Sequence, residues 1–251
     1  NKAMRRHGFR YVMEALAALF MPDTCASCGR VLQEGDCRPL CVSCRMELSP
    51  TCWKGRADNP VELLFRGVYP IARAHAQFYY VHDTPNAQTV FSFKYYGRPE
   101  VARLMAKEAA EELLPVGFFD SIDCIIPVPL FWKRRWKRGY NQSEYIARGL
   151  SDVSGIPVRT NCMRRNVNNP SQTSLSIEER QQNVKHIFSL THHAAELTGK
   201  HVLIVDDVIT TGATLRAVAD ELLMTKPSHV SVFALAVSPH VKDPHIADWN
   251  W

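Results

Sequence analysis

The chain of 251 residues carries 30 Lys and Arg against 25 Asp and Glu, a formal net charge of +5, with 46% hydrophobic residues. At 28.5 kDa and a mean hydropathy of −0.19 it has room for one sizeable domain and a small appendage. No apolar run is long enough to span a bilayer, which excludes a transmembrane helix, and the mild basicity suits polyphosphate or nucleic-acid ligands.

Near the amino terminus, Phe9, Val12, Met13, Leu16, Leu19 and Phe20 recur at helical spacing. They predict an amphipathic helix within residues 1–21 that docks on its own protein or on a symmetry mate. Arg5, Arg6 and Arg10 leave a membrane-surface helix as the alternative. Basic residues followed by so short an apolar run do not fit a secretory signal, so a cytoplasmic setting with reduced thiols is expected.

Six of the eight cysteines lie between Cys25 and Cys52. Cys25-Ala-Ser-Cys28 and Cys41-Val-Ser-Cys44 are two C-x-x-C knuckles, the spacing of a tetrahedral four-cysteine zinc site. Residues 22–58 therefore read as a small zinc ribbon with Cys25, Cys28, Cys41 and Cys44 as ligands, while Cys37 and Cys52 compete for a place in that set. Four protein ligands close the coordination sphere, so the site is structural. Lys54–Asn59 reads as a connector, and residues 59–251 as the main domain.

In that domain, residues 65–82 are β-prone and predict a hairpin or edge strands. Val90, Phe91, Phe93 and Lys94 lead into Tyr95-Tyr96-Gly97-Arg98. Pro99 opens a helix to about Leu114 with Val101, Leu104, Met105, Ala109 and Leu113 inward. Ile122–Val128 predicts a buried strand ending in Pro127-Val128-Pro129-Leu130. Beyond it, Lys133–Arg138 is a cationic run interrupted by Trp136, ahead of Gly139-Tyr140-Asn141-Gln142. The run suits pyrophosphate, or single-stranded nucleic acid with Trp136 and Tyr140 as stacking platforms, or a solvated basic loop. Ile156–Val158 predicts a short edge strand. Arg164 and Arg165 begin a polar loop through Pro170, Gln172 and Leu175, with Ser176 and Glu179 as a capping box behind it. Val230–Val237 predicts a last strand.

Residues 202–214 carry the densest chemistry. Val202–Val205 is an unbroken apolar run of the kind buried on both faces of a parallel sheet. Asp206 and Asp207 follow, then the small, hydroxyl-rich Thr210-Thr211-Gly212-Ala213-Thr214, then Leu215, Val218, Ala219, Leu222 and Leu223 at helical spacing. A helix starting near Thr214 offers unpaired N–H groups and its positive end to an anion, and Gly212 lets backbone approach it. Asp206 and Asp207 repel phosphate and accept from a pair of vicinal hydroxyls, directly or through a metal ion and its water. A phosphate beside a diol describes a ribose 5-phosphate.

This stretch resembles the phosphoribosyl-pyrophosphate (PRPP) signature of type I phosphoribosyltransferases. With the cysteine pairs, Lys94 before Tyr-Tyr-Gly, the turn at 127–130, Arg138-Gly-Tyr-Asn-Gln142, and Gln172, Leu175, Arg180, Asn183 and Phe188, nearly the whole chain is similar to the ComF (GntX-like) family. The resemblance implies an α/β fold, a type I phosphoribosyltransferase-like parallel sheet flanked by helices, with the small amino-terminal zinc ribbon. It implies PRPP or pyrophosphate as ligand with Mg2+, bound by Thr210–Thr214, Pro127, Val128, Pro129, Arg138, Asn141, Gln142 and Lys94. Asp206 and Asp207 would act at the reacting sugar, and Arg164, Arg165, Gln172 and Leu175 would belong to a flexible loop. It further implies a part in natural competence and DNA uptake, a helicase or recombination protein as partner, and a homodimer. Two functions fit: a pentosyl transferase using PRPP, and a non-catalytic factor holding single-stranded DNA or a partner at the same phosphate site. No residue stands out as a general base.

Overall fold

The structure is a computed structural model and describes residues 23–36, 38–66, 69–81, 85–167 and 187–241. The expected amino-terminal helix, Cys37, Gln172, Leu175, the capping box, Arg180, Asn183 and the tail beyond residue 241 lie outside them.

Four parallel strands form the central sheet in the order β1-β6-β5-β2: β1 (Ile71–Tyr79), β2 (Cys124–Pro127), β5 (His201–Ile209) and β6 (His229–Val237). Strands β5 and β6 are central and buried almost throughout, because helices cover both faces; this is why their sequences run apolar without alternation. Side chains still alternate. Leu203 and Val205 join one core with Ile125, Phe233 and Leu235, whereas Val202 and Ile204 join another with Ile126, Val232 and Ala234.

The first core is roofed by α3 (Pro85–Tyr95), α4 (Pro99–Leu113) and α6 (Gln142–Ser154). Helices α4 and α6 meet at Gly149, where an added Cβ would lie 2.2 Å from the Arg103 carbonyl oxygen. Only hydrogen fits there. The second core is closed by α2 (Pro60–Phe65) and α7 (Ala213–Leu223), with a 3-10 helix (His192–Leu197) and the antiparallel pair β3 (Met163–Arg165) and β4 (Phe188–Leu190) packed beside them. Helix α7 buries Leu215, Val218, Ala219 and Leu222 along one stripe.

The cysteine-rich segment carries the short helix α1 (Val42–Met46). Its Cys25, Leu32, Leu40 and Leu48 belong to the same core as α4 and α6. Arg45 pairs with Glu108 of α4 at 2.5 Å, and Arg98 donates to the Thr24 carbonyl at 2.9 Å. The segment's exit also covers the free edge of β1. Thr51 N–H donates to the Gln77 carbonyl and Tyr79 N–H to that of Ser49, around an antiparallel bridge between Pro50 and Phe78. Farther along that edge, Asn59 donates to the Ala74 carbonyl and Glu62 accepts from the Ala74 N–H. An otherwise unpaired strand edge is thereby satisfied.

Several expected elements differ. Residues 65–82 form no hairpin among the described residues; they supply the single strand β1, which pairs in parallel with a strand from the far end of the chain. Val90–Lys94 is helical, and Asn59 at the end of the expected connector caps α2. Leu104 is 43% exposed, not inward, because α4 turns Val101, Met105 and Ala109 to the core. The Lys133–Arg138 run is no loop. It forms α5 (Trp132–Arg138), a helix with no buried residue, ended by Gly139 at φ +85°. Ile156–Val158 contributes one bridge, Val158 to Ile125, at the outer edge of β2. No helix of the described residues is long and apolar enough to cross a membrane.

Candidate functional site

Strand β5 does not stop before its acids. It runs through Asp206 and Asp207 to Ile209, so both carboxylates are carried into the protein, 8% and 6% exposed. A buried carboxylate is costly unless hydrogen-bonded, and the amino-terminal turn of α6 supplies donors. Gln142 Nε2 donates to Asp207 Oδ2 at 2.7 Å, and Ser143 Oγ to Asp206 Oδ1 at 3.2 Å, an oxygen that also accepts the Asp207 N–H at 2.9 Å. Lys94, in the last turn of α3, places Nζ 3.1 Å from Asp207 Oδ1. Burial, and then the neighbouring Asp207 charge, raise the Asp206 carboxyl to about 7.

Asn141 joins this turn to the sheet. Its oxygen caps α6 by accepting the Ser143 N–H, and its amide donates to the Val128 carbonyl just beyond β2. Val128 N–H in turn donates to Val205 at 2.8 Å. Tyr140 completes the frame by donating its hydroxyl to the Phe93 carbonyl at 2.7 Å, fixing α3 against the turn that precedes α6.

Around the acids lies an open cleft of about 170 Å3. Of the residues predicted from sequence, it brings together Lys94, Val128, Pro129, Arg138, Asn141, Gln142, Arg165, Asp206, Asp207 and Thr214. Thr210, Thr211, Ala213 and Thr214 are exposed, so the loop is not packed shut. Gly212 is buried at φ +75°, over Leu64 and Phe65 of α2, and caps α7. Pro127 is buried at the end of β2. Arg164 points elsewhere, donating to Ser189 across the β3–β4 pair. Arg165 turns into the cleft; burial and then Arg134 work against its charge, while Asp206 supports it.

Sequence reasoning missed Ser143, Tyr95 and Glu144. Tyr95 stacks beneath Arg138, with the guanidinium 5.3 Å from the ring centroid, and Arg138 also donates to Gln142 at 2.5 Å. Glu144, buried, pairs with Arg135 and Arg148. The basic run is thus partly anchored, while Trp136 and Trp132 stand 86% and 63% exposed. An acid in the first helical turn directly after a cationic run was the available signal for Glu144.

The second cluster is separate. The Sγ atoms of Cys25, Cys28, Cys41 and Cys44 lie within 4.8 Å of one another, with Cys28 and Cys41 3.9 Å apart. Four thiolates about 2.3 Å from one tetrahedral ion would stand about 3.8 Å apart. The knuckle backbone donates to sulfur, Cys41 N–H to Cys25 at 3.3 Å and Cys44 N–H to Cys41 at 3.5 Å. The Cys44 N–H is the main reason the Cys41 thiol falls to about 6, whereas burial pushes Cys44 up to about 12. These residues fit a metal ion, which would hold all four as thiolates. Cys52 is exposed and outside the cluster.

A parallel sheet whose central strand carries paired acids near its carboxyl end, followed by a small hydroxyl-rich loop and a helix, defines a phosphoribosyltransferase-type domain. The phosphoribosyl transferase domain family matches residues 102–250, more than half of the chain. The chain is 40% identical over 114 residues to Competence protein F of Haemophilus influenzae, 45% of this chain and 50% of that protein. It is 32% identical over 157 residues to DNA utilization protein YhgH of Salmonella typhimurium, 61% of this chain and 68% of that protein. It therefore spans about half the length of the first relative. Of solved structures, the purine phosphoribosyltransferase from Pyrococcus horikoshii Ot3 matches with a TM-score of 0.35 at 23% identity, over 59% of this chain and 79% of that one. The chain belongs to the ComF family of phosphoribosyltransferase-domain proteins.

The raised Asp206 carboxyl sets a pH dependence. Because its folded-state value lies above the unfolded one, its favourable contribution is complete below about pH 4 and is lost as pH rises through about 7. Asp206→Asn keeps an oxygen for Ser143 and removes the charge. Its melting temperature is expected to exceed wild type at pH 8, by an amount that shrinks towards pH 5 in thermal scans.

Proposed function

We propose that the cleft binds PRPP as its magnesium complex and that the domain transfers or holds the phosphoribosyl group. The reading is carried by one observation: Thr214, at the start of α7, lines one cleft with two buried carboxylates, and Thr210, Thr211 and Ala213 just before it are exposed. Thr210–Thr214 receive the 5-phosphate at the positive end of the helix. Asp206 and Asp207 accept from the ribose hydroxyls. Lys94, Arg138 and the backbone of 127–129 face the pyrophosphate. Departure of pyrophosphate from C1 leaves positive charge on the ribose, and the acids stand on the side that stabilises it. The carboxylate pair suits a hard, oxygen-seeking cation, and magnesium would neutralise the leaving group. Asp206, with an acidity near neutral, is the cleft carboxylate suited to take a proton from an acceptor. Arg165, which lines the cleft, would help to shield the site from water.

The relatives named for competence and DNA utilization support a role for this chain in the same DNA handling, with partners in that machinery. A second reading, single-stranded DNA held beside the cleft, is favoured by the exposed Trp136 and Trp132 on a cationic helix, although Tyr140, the other expected platform, is buried against Phe93. The four-cysteine cluster is read as a structural zinc site that braces the segment covering β1 and α4.

Calorimetry with PRPP and magnesium is expected to give binding in wild type and at least about tenfold weaker binding in Asp207→Asn, since a hydrogen bond to a charged group contributes about 1.5–3 kcal/mol; equal heats defeat the diol contact. For the second reading, Trp136→Ala should weaken binding of an unstructured oligonucleotide by roughly tenfold, within the range for loss of one stacked base, with a steep salt dependence. A salt-insensitive or unchanged affinity rejects it. Metal analysis should find one zinc per wild-type chain and less in Cys41→Ser, which also melts at lower temperature.

A further inference from the structure

We infer that Lys94 is a specificity-determining residue: its ammonium covers the sugar-binding carboxylate until a pyrophosphate group draws it away, so the cleft prefers intact PRPP to ribose 5-phosphate. The inference rests on the reading of the cleft proposed above.

Each oxygen of Asp207 already faces one side-chain donor of the protein. Oδ2 accepts from Gln142 at 2.7 Å, and Oδ1 faces the Lys94 ammonium at 3.1 Å. With the Lys94 side chain 21% exposed and that of Asp207 9% exposed, water screens this pair only in part. An ammonium has three donors and no acceptor. It offers nothing to an incoming hydroxyl hydrogen, and it takes one of the two lone-pair directions of Oδ1, so the diol has to share that oxygen with a positive charge.

Lys94 also lines an adjoining hollow of about 360 Å3, which shares Tyr95, Arg134 and Arg138 with the acid cleft and adds Lys137. That hollow contains no acid among its lining residues, so a polyanion there would draw Lys94 towards itself. Arg138 is tied to the same network, because Gln142 accepts from it with one amide atom and donates to Asp207 with the other. Anion capture by Lys94 and Arg138 therefore frees the acid that the ribose needs. A ligand carrying both groups gains both contacts, whereas ribose 5-phosphate alone works against the Lys94–Asp207 pair. Coupling of this kind is reciprocal: pyrophosphate strengthens ribose 5-phosphate binding by the same factor as the reverse.

The test is calorimetry on the full chain with ribose 5-phosphate, alone and with saturating magnesium pyrophosphate. In wild type, pyrophosphate should tighten ribose 5-phosphate binding about tenfold, a typical coupling factor. Lys94→Met should bind ribose 5-phosphate alone about tenfold more tightly than wild type, bind pyrophosphate more weakly, and lose the coupling; Lys94→Arg should retain it. If Lys94→Met does not fold, Lys94→Gln is measured with the same expectation. Ribose 5-phosphate affinity that stays the same or falls on losing the charge overturns the inference, as does coupling that persists. Wild type that binds no PRPP overturns the underlying reading; wild type that binds PRPP while the neutral variant leaves ribose 5-phosphate affinity unchanged overturns only the role of Lys94.

Discussion

Burying two neighbouring carboxylates at the centre of a parallel sheet is the constraint on which the rest of this protein turns. A buried carboxylate is costly unless hydrogen-bonded, so Asp206 and Asp207 each need a donor of their own. Helix α6 answers with Gln142 and Ser143 in its first turn, and α3 answers with Lys94. Donors of this kind work only if their elements are held still. Asn141 ties α6 to the end of β2, and Tyr140 ties α3 to the turn before α6. Close contact at Gly149 then sets how near α4 and α6 lie to each other.

The same frame brings opposite charges to one cleft. The acids lie on β5, and Lys94 of α3, Arg134 and Arg138 of α5 and Arg165 of β3 line the same cleft, while Lys137 joins the adjoining hollow. Helix α5 buries nothing, so packing does not explain its position; it is anchored by Arg135 on Glu144, by Arg138 on Gln142 and Tyr95, and by the left-handed Gly139 turn. Such a helix can face an anion without disturbing the core. The cysteine-rich segment has the opposite character. Its apolar residues are part of the core, and its exit segment covers the edge of β1, so a metal ion there would stabilise the domain and take no part in its chemistry.

Much of this was legible from residue order. A long apolar run followed by two acids, small hydroxylated residues and a 3.6-residue periodicity defines a strand, loop and helix by local rules alone, and the structure has them at β5, the 210–212 turn and α7. The paired C-x-x-C knuckles are equally local, and their four sulfurs converge. Less legible was anything decided by partners distant in sequence. Residues 65–82 have the composition of a hairpin, yet β1 pairs with β6, more than a hundred residues away. The cationic run resembled a loop because no apolar stripe marks α5, whose helicity needs no buried face.

The order of residues alone determined the strand, loop and helix of 202–223 and the paired cysteine knuckles, because each follows from spacing within a short segment, and the fold class came with the family resemblance that these motifs carry. The tertiary structure decided that Lys94, Gln142 and Ser143 meet the acid pair, that Arg165 enters the cleft while Arg164 leaves it, and that Asp206 is pushed towards neutrality. Those outcomes depend on burial and on charges brought together from separate helices and strands, and neither exists until the chain has folded.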